Sequence, residues 1–462
     1  MLLQPNATPN DELAPARLSK VGAVILGKGW REYSPKWCMT DIVVPVNAAQ
    51  SAPSATTHRA LDVPPGTPIV TILGDGQLAR MMQTEAIELG IGVRLLTASR
   101  DASAAQVVAN PIIGDYRQVD DVLAAAAGSD VVTFDHEHVP VAVMDALIAA
   151  GHTIHPSPQA LQYAQDKTLM RRKLAELDLP VPAFTIIDDP TQVAPFFNQV
   201  AGRLCIKTAR GGYDGHGVWF PATVDDATDL VRKLLADGNQ VLAEERLTLT
   251  RELSVLIARR PSGEMVTWPV IESVQRDGIC HSAIAPAPHL APQLAERAVE
   301  IAETIATQLG VTGVMAVELF AFLDHNGAET VSVNELAMRP HNTGHFTQFG
   351  SVTSQFEQHL RACLDLPLGS TAKTHETTCM VNVLGADTAP HCSVKDACAA
   401  VWQRYPAAKI HLYGKQWRPG RKLGHVIMAS DSADPQQLLA DATAAAHCIR
   451  TGEWNTTTSA TG

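Results

Sequence analysis

Short apolar runs separated by amphipathic stretches recur along the chain from about residue 67 onward. Pro68–Leu73, Gly92–Leu96 and Asp130–Phe134 have the length and residue types of buried strands, and a helical pattern follows the first of them to about Leu89. Strands that alternate with helices in this way predict a parallel, doubly wound sheet. We therefore expect an α/β domain over residues 67–156.

The next part of the chain predicts a long helix and then a small α+β unit. Ser157 is a good N-cap and Pro158 suits a first helical turn, so one helix is expected from there to about Leu177. A compact unit within residues 183–246 is then predicted from two hairpin strands, a helix and a third strand: Arg203–Ile206, Val218–Phe220, Val224–Ala236 and Val241–Glu245.

A second sheet is predicted further along the chain. Its predicted strands are Arg251–Ile257, Met265–Val274, Val314–Phe320 and Val331–Leu336. A helix is predicted over Pro292–Leu309, before the last two strands. We assign residues 157–370 to one domain and residues 371–462 to a C-terminal domain. Residues 1–66 are rich in Pro, Ala, Ser and Thr without sustained periodicity, so we expect a disordered extension there.

Composition and charge exclude several classes of protein. The formal net charge of the 462 residues is −12 and no run of Lys or Arg occurs, so a nucleic-acid partner is not expected. No apolar run approaches the roughly 20 residues of a membrane span. The eight cysteines are scattered without a Cys-x-x-Cys pair, which is typical of a reducing cytosol, and we expect a cytoplasmic protein.

A glycine-rich turn, Gly74-Asp75-Gly76-Gln77-Leu78-Ala79-Arg80, follows the first strand. Its G-x-G-x-x-A pattern places a helix N-terminus, whose N–H groups bind anions, directly after the glycines. Three interpretations stay open: a nicotinamide site, a packing turn, or a site for the phosphate of another small ligand. The second strand ends at Leu96-Thr97-Ala98-Ser99-Arg100 without an immediate acidic residue for a ribose, which favours the third interpretation.

Four polar residues, Asp135-His136-Glu137-His138, follow the strand that ends at Phe134. The carboxyl ends of parallel strands are where such sheets bind ligands. We interpret the segment as part of a ligand site. A solvated loop is the alternative, and a metal site is disfavoured because successive side chains point apart.

The segment Lys207–Val218 contains four glycines between the two predicted hairpin strands. Glycines let a loop backbone approach a ligand, and its N–H groups then cradle phosphate oxygens while Lys207 adds a positive charge. No Gly-Lys-Ser/Thr follows, so this is not a Walker A loop. A glycine-rich hairpin turn without a ligand is the alternative.

Two carboxylates lie inside apolar strands, at Glu318 and Glu335, the second beside Asn334. A buried carboxylate without a partner is costly, so each needs a cation or a donor. Carboxylate and amide oxygens on adjacent antiparallel strands suit a hard cation such as Mg²⁺. A pair of structural, ion-paired acids is the alternative.

Together and in this order, the motifs resemble the ATP-grasp superfamily and, within it, the 5-(carboxyamino)imidazole ribonucleotide synthase family. The resemblance runs from about Pro68 to about Ile427 and also includes Gln165-Asp166-Lys167, Glu244-Glu245, Arg251-Glu252-Leu253-Ser254, Arg276-Asp277-Gly278-Ile279, Asn334–Asn342 and Leu412-Tyr413-Gly414-Lys415. It implies an α/β ATP-grasp fold with a Rossmann-like pre-ATP-grasp domain before it and a small β-rich domain after it.

The resemblance also implies roles for individual residues. ATP would be held by Lys167, Lys207, Gly212, Tyr213, Asp214, Gly215, His216, Gly217, Val218, Glu244, Glu245, Arg246, Leu247, Glu252, Gln275, Asn334 and Glu335. Mg²⁺ or Mn²⁺ would be bound by Glu318, Glu335 and Asn334. The nucleotide substrate would be bound by Gly76, Gln77, Leu78, Glu137, Arg339, His341, Lys415, Arg421 and Lys422, and the catalytic group would be Lys207, Tyr213, Arg339, His341, Asn342 and Glu137.

The implied reaction is the ATP-dependent carboxylation of 5-aminoimidazole ribonucleotide by bicarbonate through carboxyphosphate. His341 or Glu137 would accept or orient the proton of the amine. The implied partners are a second copy of the chain and the mutase that takes the product. Another ATP-grasp ligase, such as a formate-dependent glycinamide ribonucleotide transformylase, is the nearest alternative, and a nicotinamide-dependent oxidoreductase is the more distant one.

Four positions depart from the family pattern, and one of them, Met338 where a proline is common, is expected to be harmless. Asp75 replaces a glycine and brings an acid to the expected phosphate site, which is unfavourable unless its side chain turns away. His216 replaces a lysine or arginine of the glycine-rich loop, and Gln275 replaces a histidine.

Overall fold

The computed structural model describes residues 63–212, 216–276 and 278–454. The predicted extension up to residue 62 and the predicted nucleotide contacts Tyr213, Asp214 and Gly215 lie outside the described residues. Among the described helices, none is both long enough and apolar enough to cross a membrane.

The first domain is built on four parallel strands in the order β3-β2-β1-β4. Apolar residues make up most of β1, β2 and β4, because helices cover both faces of such a sheet. The prediction of a doubly wound sheet is confirmed. Its elements are β1 (Ile69–Leu73), α1 (Gln77–Leu89), β2 (Gly92–Thr97), β3 (Ile112–Ile113), α2 (Val119–Ala126), β4 (Val131–Phe134) and α3 (Val141–Ala149).

The single long helix predicted after Ser157 is wrong, because the chain forms α4 (Pro158–Gln165) and α5 (Lys167–Glu176) with a break at Asp166. Asp166 is extended, and its carboxylate accepts hydrogen bonds from the N–H groups of Thr168 and Leu169 at the start of α5. The 3.6-residue pattern runs through the break, so periodicity alone does not reveal it.

A small antiparallel sheet in the order β5-β8-β6-β7 forms the next unit, and two helices pack on it around their own apolar core. The predicted hairpin is present, since Lys207 pairs with Val218 and Ile206 with Trp219. The elements are β5 (Phe184–Ile187), α6 (Val193–Gln199), β6 (Leu204–Thr208), β7 (Val218–Trp219), α7 (Val224–Ala236) and β8 (Val241–Glu245).

The largest sheet has nine strands, in the order β14-β13-β9-β11-β12-β15-β17-β16 with β10 beside β9. Its strands are β9 (Leu249–Arg259), β10 (Met265–Thr267), β11 (Ile271–Arg276), β12 (Ile279–Ala285), β13 (Gly313–Leu323), β14 (Glu329–Ala337), β15 (Thr377–Leu384), β16 (Lys409–Leu412) and β17 (Lys422–Ser430). The helices of this part are α8 (Pro292–Gln308), α9 (Thr347–Gly350), α10 (Gln355–Cys363), α11 (Val394–Arg404) and α12 (Pro435–Thr451).

The single strand predicted over Met265–Val274 is wrong, because β10 and β11 pair separately with β9. Pro269 lies between them and has no N–H to offer a ladder. The last three strands, β15 to β17, continue the same sheet instead of forming one of their own, because β15 pairs with β12. One continuous sheet thus reaches from β14, which carries Glu335, to the C-terminal segment.

Candidate active site

A cleft of about 1620 Å³ opens between the first domain, the small unit and the large sheet. Pockets for one small molecule have volumes of roughly 300–1,000 Å³, so this cleft has room for two ligands. Its lining includes most of the predicted site residues: Gly76, Gln77, Leu78, Glu137, Lys167, Lys207, Gly212, His216, Val218, Glu244, Glu245, Arg246, Leu247, Glu252, Gln275, Glu318, Asn334, Glu335, Arg339, His341, Asn342 and Lys422. Gly217, Lys415 and Arg421 are not part of the lining.

Two buried lysines meet the large sheet inside the cleft. Lys207, near the end of β6, places Nζ 2.7 Å from Glu244 Oε2 and 3.2 Å from Asn334 Oδ1. Lys167, the first residue of α5, places Nζ 2.9 Å from Glu335 Oε1. The two ammonium groups thus come from different elements and reach the same strand, β14.

The stem of the glycine-rich loop requires its glycines. Gly217 has a φ of 75°, and a Cβ there would lie 2.6 Å from Thr208 Oγ1. A Cβ on Gly212 would lie 2.8 Å from the carbonyl oxygen of His216. A larger residue at Gly212 or Gly217 would therefore push the two sides of the loop apart.

Glu318 and Glu335 are direct partners in the β13–β14 ladder. The register shifts immediately afterwards, since Leu319 pairs with Val333, and Asn334 is the extra residue of a β-bulge. Neighbouring side chains of a regular strand point to opposite faces, whereas here both Asn334 and Glu335 line the cleft. The bulge therefore brings the third predicted oxygen ligand to the side of the two carboxylates.

Three glutamates of the cleft have shifted pKa values. Burial would raise the pKa of Glu318, but the hydrogen bond from His341, whose Nε2 lies 3.1 Å from Oε1, and the charges of His341, Lys167 and Arg339 together outweigh it, so the pKa is lowered. Burial, together with the charge of Glu318, raises the pKa of Glu252 to about 7. Burial would also raise the pKa of Glu244, but Arg171 and Lys207 lower it to about 2.

The sequence did not indicate Arg171 as a site residue, and it indicated Asp135 only as one member of the polar segment that follows β4. Arg171 is fully buried on α5 and pairs with Glu244, with Nε 2.5 Å from Oε1. Asp135 follows β4, and its Oδ2 accepts a hydrogen bond of 2.5 Å from the N–H of Gly76. The acidic segment after β4 signalled Asp135, but no local pattern separates it from Glu137.

The glycine turn after β1 is shaped by Asp135. A Cβ on Gly74 would lie 1.8 Å from Asp135 Oδ1, and one on Gly76 would lie 2.7 Å from Oδ2. Asp75 turns toward the end of β2, where its Oδ2 accepts hydrogen bonds from Thr97 Oγ1 at 2.7 Å and from the N–H of Ala98 at 3.0 Å. The carboxylate of Asp75 is thus stabilised by two hydrogen-bond donors at the end of β2.

Lys415 lies next to the turn, with Nζ 2.5 Å from Gln77 Oε1. Burial and the nearby Arg421 lower the pKa of Lys415 to about 8. The guanidinium of Arg421 donates to the carbonyl of Gln416 at 3.2 Å. Neither Lys415 nor Arg421 is part of the cleft lining, whereas Lys422 is.

Arg339 and Glu137 lie in the cleft wall, with Arg339 Nε 2.7 Å from Glu137 Oε2. Glu137 Oε1 and Asn342 Nδ2 are buried and make no hydrogen bond to any residue that the structure describes. His341 has a partner on each ring nitrogen, because Nδ1 lies 2.9 Å from Thr343 Oγ1 and Nε2 faces Glu318. This wall thus offers a carboxylate oxygen and an amide N–H to a ligand.

The donor set at Glu318, Glu335 and Asn334 fits Mg²⁺ in part. Within residues 63–212, 216–276 and 278–454, no group of three or more His, Cys, Asp or Glu side chains is arranged to hold a metal ion. Mg²⁺, however, is often bound by one or two carboxylates while substrate phosphates and waters complete its shell. Two paired carboxylates beside two lysines are consistent with that kind of site.

Three family models match the chain in succession. A ribonucleotide synthetase preATP-grasp domain matches residues 68–165, an ATP-grasp domain matches residues 172–356, and a phosphoribosylaminoimidazole carboxylase C-terminal domain matches residues 378–437.

Curated relatives and solved structures agree with these matches. An N5-carboxyaminoimidazole ribonucleotide synthase of Corynebacterium ammoniagenes is 54% identical over 394 residues, which cover 85% of this chain and 94% of the relative. One of Mycobacterium tuberculosis is 50% identical and covers 88% of this chain and 92% of the relative. The structure of an N5-carboxyaminoimidazole ribonucleotide synthetase with ADP has a TM-score of 0.74 at 31% identity over 84% of this chain and 99% of that one. An Aspergillus clavatus N5-carboxyaminoimidazole synthase in complex with ADP and 5-aminoimidazole ribonucleotide has a TM-score of 0.73 at 28% identity over 83% and 98%.

Proposed function

The chain belongs to the N5-carboxyaminoimidazole ribonucleotide synthase family of ATP-grasp ligases, and from this we propose how the residues of the cleft share the reaction. It is an ATP-dependent ligase of purine biosynthesis. We infer that 5-aminoimidazole ribonucleotide is carboxylated with bicarbonate as the carbon source. The nicotinamide-dependent alternative has no support among these relatives.

The observation that best supports ATP binding is the contact of two lysines with β14. Lys167 contacts Glu335, and Lys207 contacts Asn334. Two fixed positive charges in a partly buried cleft stabilise the negative charge that develops on a transferred phosphoryl group. The turn at Gly76 and the Arg339–Glu137 pair, in the same cleft, are left for the second substrate.

In the first step, an oxygen of bicarbonate attacks the γ-phosphorus of ATP, ADP leaves, and carboxyphosphate forms. Lys207 and Lys167 would hold the phosphates, and the loop that begins at Gly212 would cover them. A covered cleft protects a labile acyl phosphate from water.

We propose that Glu318, Glu335 and Asn334 hold Mg²⁺, with the phosphates of ATP as further ligands. When bound there, the ion supplies positive charge that neutralises phosphate oxygens. Glu335 supports this assignment, since 41% of its side chain is exposed to the cleft although its backbone is part of a paired strand.

In the second step, the exocyclic amine of the ribonucleotide attacks the carboxyl carbon, phosphate leaves, and the nitrogen loses a proton. Of the two candidate acceptors, Glu137 is favoured, because its Oε1 makes no hydrogen bond to any described residue, whereas both nitrogens of His341 are engaged. Arg339 would orient Glu137 and add positive charge near the leaving phosphate.

Phosphate release measured with ATP and Mg²⁺ tests the proposal. We expect release that depends on both 5-aminoimidazole ribonucleotide and bicarbonate, with label from bicarbonate incorporated into the nucleotide. Release that depends instead on formate and glycinamide ribonucleotide would overturn it.

The remaining expectations rest on the family. We propose a cytoplasmic homodimer whose product passes to the next mutase of the pathway. Light scattering at micromolar protein concentration tests the dimer, and a mass near the 49.4 kDa of one chain would contradict it.

A further inference from the structure

A fully buried arginine lies one helical turn behind Lys167. Lys167 and Arg171 are four positions apart on α5, so both project from the same side of the helix. Lys167 faces Glu335, whereas the side chain of Arg171 has 0% exposure. A buried guanidinium is stable only when its donors are satisfied, so its partners show what it holds in place.

The first partner is Glu244 on β8. Arg171 Nε lies 2.5 Å from Glu244 Oε1, and the other oxygen of the same carboxylate lies 2.7 Å from Lys207 Nζ. The side chain of Glu244 is 2% exposed, so one buried carboxylate connects two cations. Without Arg171, Glu244 would be paired with Lys207 alone, and the carboxylate of Glu244 would lose the contact that fixes its orientation.

The other partners are two successive carbonyl groups of β14. Arg171 Nη1 donates to Val333 O at 2.6 Å, and Nη2 donates to Asn334 O at 3.0 Å. Successive carbonyls of a regular strand point to opposite edges, so one guanidinium reaches both only where the strand is irregular. These residues form the bulge that turns Asn334 and Glu335 to the cleft together.

We propose that Arg171 is a positioning residue that holds the β14 bulge and, through Glu244, the ammonium of Lys207 in the arrangement that binds the phosphates of ATP. The proposal rests on the proposed function, since it concerns the ATP side of the same cleft. Lysine is a poor replacement here, because one ammonium cannot span a carboxylate and two carbonyls as a planar guanidinium does.

Calorimetric titration with ADP, and separately with 5-aminoimidazole ribonucleotide, tests the proposal on Arg171→Lys and Glu244→Gln. We expect Arg171→Lys to weaken ADP binding about fivefold or more and to lower kcat at least tenfold at saturating ATP. Binding of 5-aminoimidazole ribonucleotide should stay within about twofold. Arg172→Met removes the exposed arginine next along α5 and should leave all three quantities unchanged.

A double-mutant cycle separates positioning from general stability. If Arg171 acts partly through Glu244, Arg171→Lys should weaken ADP binding less in a chain that already carries Glu244→Gln. On a logarithmic scale, we expect less than half of the effect that Arg171→Lys has in the unmodified chain. Fully additive effects would overturn the proposal, as would equal losses of ADP and ribonucleotide binding. ADP affinity and kcat within twofold of the unmodified chain would also overturn it.

Two further outcomes are informative. If Arg171→Lys does not fold, Glu244→Gln decides alone, and ADP affinity within twofold in that variant overturns the proposal. If the unmodified chain shows no release of phosphate that depends on 5-aminoimidazole ribonucleotide, the proposed function fails, while the ADP titrations still decide the role of Arg171.

Discussion

Burial raises the pKa of Asp135 to about 7, and the charge of Asp75 adds to this, although the Gly76 N–H and the cations Arg339 and Lys415 oppose it. The folded chain therefore keeps a proton on Asp135 between about pH 4 and pH 7, where the unfolded chain has lost it. A carboxyl group of this kind makes folding less favourable as the pH rises through that range.

Asp135→Asn should therefore stabilise the chain above pH 7. The gain has an upper bound of about 4 kcal/mol, and it should disappear near pH 4, where the unfolded state also carries the proton. Urea unfolding of both chains between pH 5 and pH 8 measures it. A difference in unfolding free energy that stays constant over this range would contradict the assignment.

The paired carboxylates Glu318 and Glu335 lead to a prediction about activity. Glu318→Ala or Glu335→Ala should lower turnover by at least about a hundredfold, a loss of about 3 kcal/mol in the transition state, while the chain stays folded. Phosphate release and circular dichroism measure the two effects. Glu303→Ala, at an exposed position of α8, is the control and should have no effect. Substantial turnover in either cleft variant would remove the ion-site assignment.

At the scale of elements, the α4–α5 junction brings Lys167 to the cleft. Asp166 caps α5, its Oδ2 lies 2.9 Å from Arg210 Nε, and the N–H of Lys167 donates to Ala209 O. The junction thus joins the start of α5 to Ala209 and Arg210, at the beginning of the glycine-rich loop.

Asp166→Ala should cost about 1–2 kcal/mol of unfolding free energy, because the cap of α5 is lost. Asp166→Asn keeps an oxygen for the cap and loses the charge and the acceptor that face Arg210, whose side chain is 57% exposed, so its cost should be below about 1 kcal/mol. Urea denaturation compares the two variants. Equal costs would show that the cap contributes little.

Three imidazoles stack where the C-terminal strands β16 and β17 meet the turn that precedes α9. His411 and His345 lie on either side of His425, with ring centroids 4.5 Å and 4.8 Å away. Burial, and secondarily Lys409, lowers the pKa of His411 to about 4, and burial lowers the pKa values of His345 and His425 well below the ordinary value of a histidine. The unfolded chain binds protons at these sites below about pH 6.5 that the folded chain does not bind, so stability falls as the pH falls from 6.5 toward 4.

His411→Phe keeps a ring on the stack and removes one of these titrations. Between pH 6 and pH 4.5 the variant should lose less unfolding free energy than the unmodified chain, by up to about 1.4 kcal/mol per pH unit. Chemical denaturation in that range measures the difference. Parallel pH profiles for both chains would show that His411 does not take part.

At the scale of the whole molecule, the match to the Corynebacterium relative covers 94% of that protein but 85% of this chain. Since residues 1–66 lack the periodicity of a core, we expect a chain that starts at residue 61 to keep its activity. Its melting temperature should stay within about 2 °C, roughly 0.5 kcal/mol.

Removal of α12 is the matched control for the truncation. Ala442 and Ala445 on this helix are fully buried in the C-terminal core, so its loss should unfold that part of the sheet. Differential scanning calorimetry compares both truncations. A large fall in melting temperature on N-terminal truncation would show that the extension packs on the body.

Much of the fold follows from local patterns. The doubly wound sheet, the hairpin around the glycine-rich loop and α7 were predictable because the strands are short apolar runs and the helix repeats its apolar residues at helical spacing. The cleft residues were predictable as a set because their ordered motifs resemble one family. Their individual roles stay predictions.

The tertiary structure alone decided which charges meet and which way they point. The bulge at Asn334, the burial of Arg171 against Glu244 and the hold of Asp135 on Gly76 each join residues far apart in the chain. Strand register and buried ion pairs depend on such distant partners, and a one-residue slip reverses the face of every side chain. The amino-acid sequence by itself thus determined the elements and the kind of chemistry, whereas packing between the elements determined the geometry of the site.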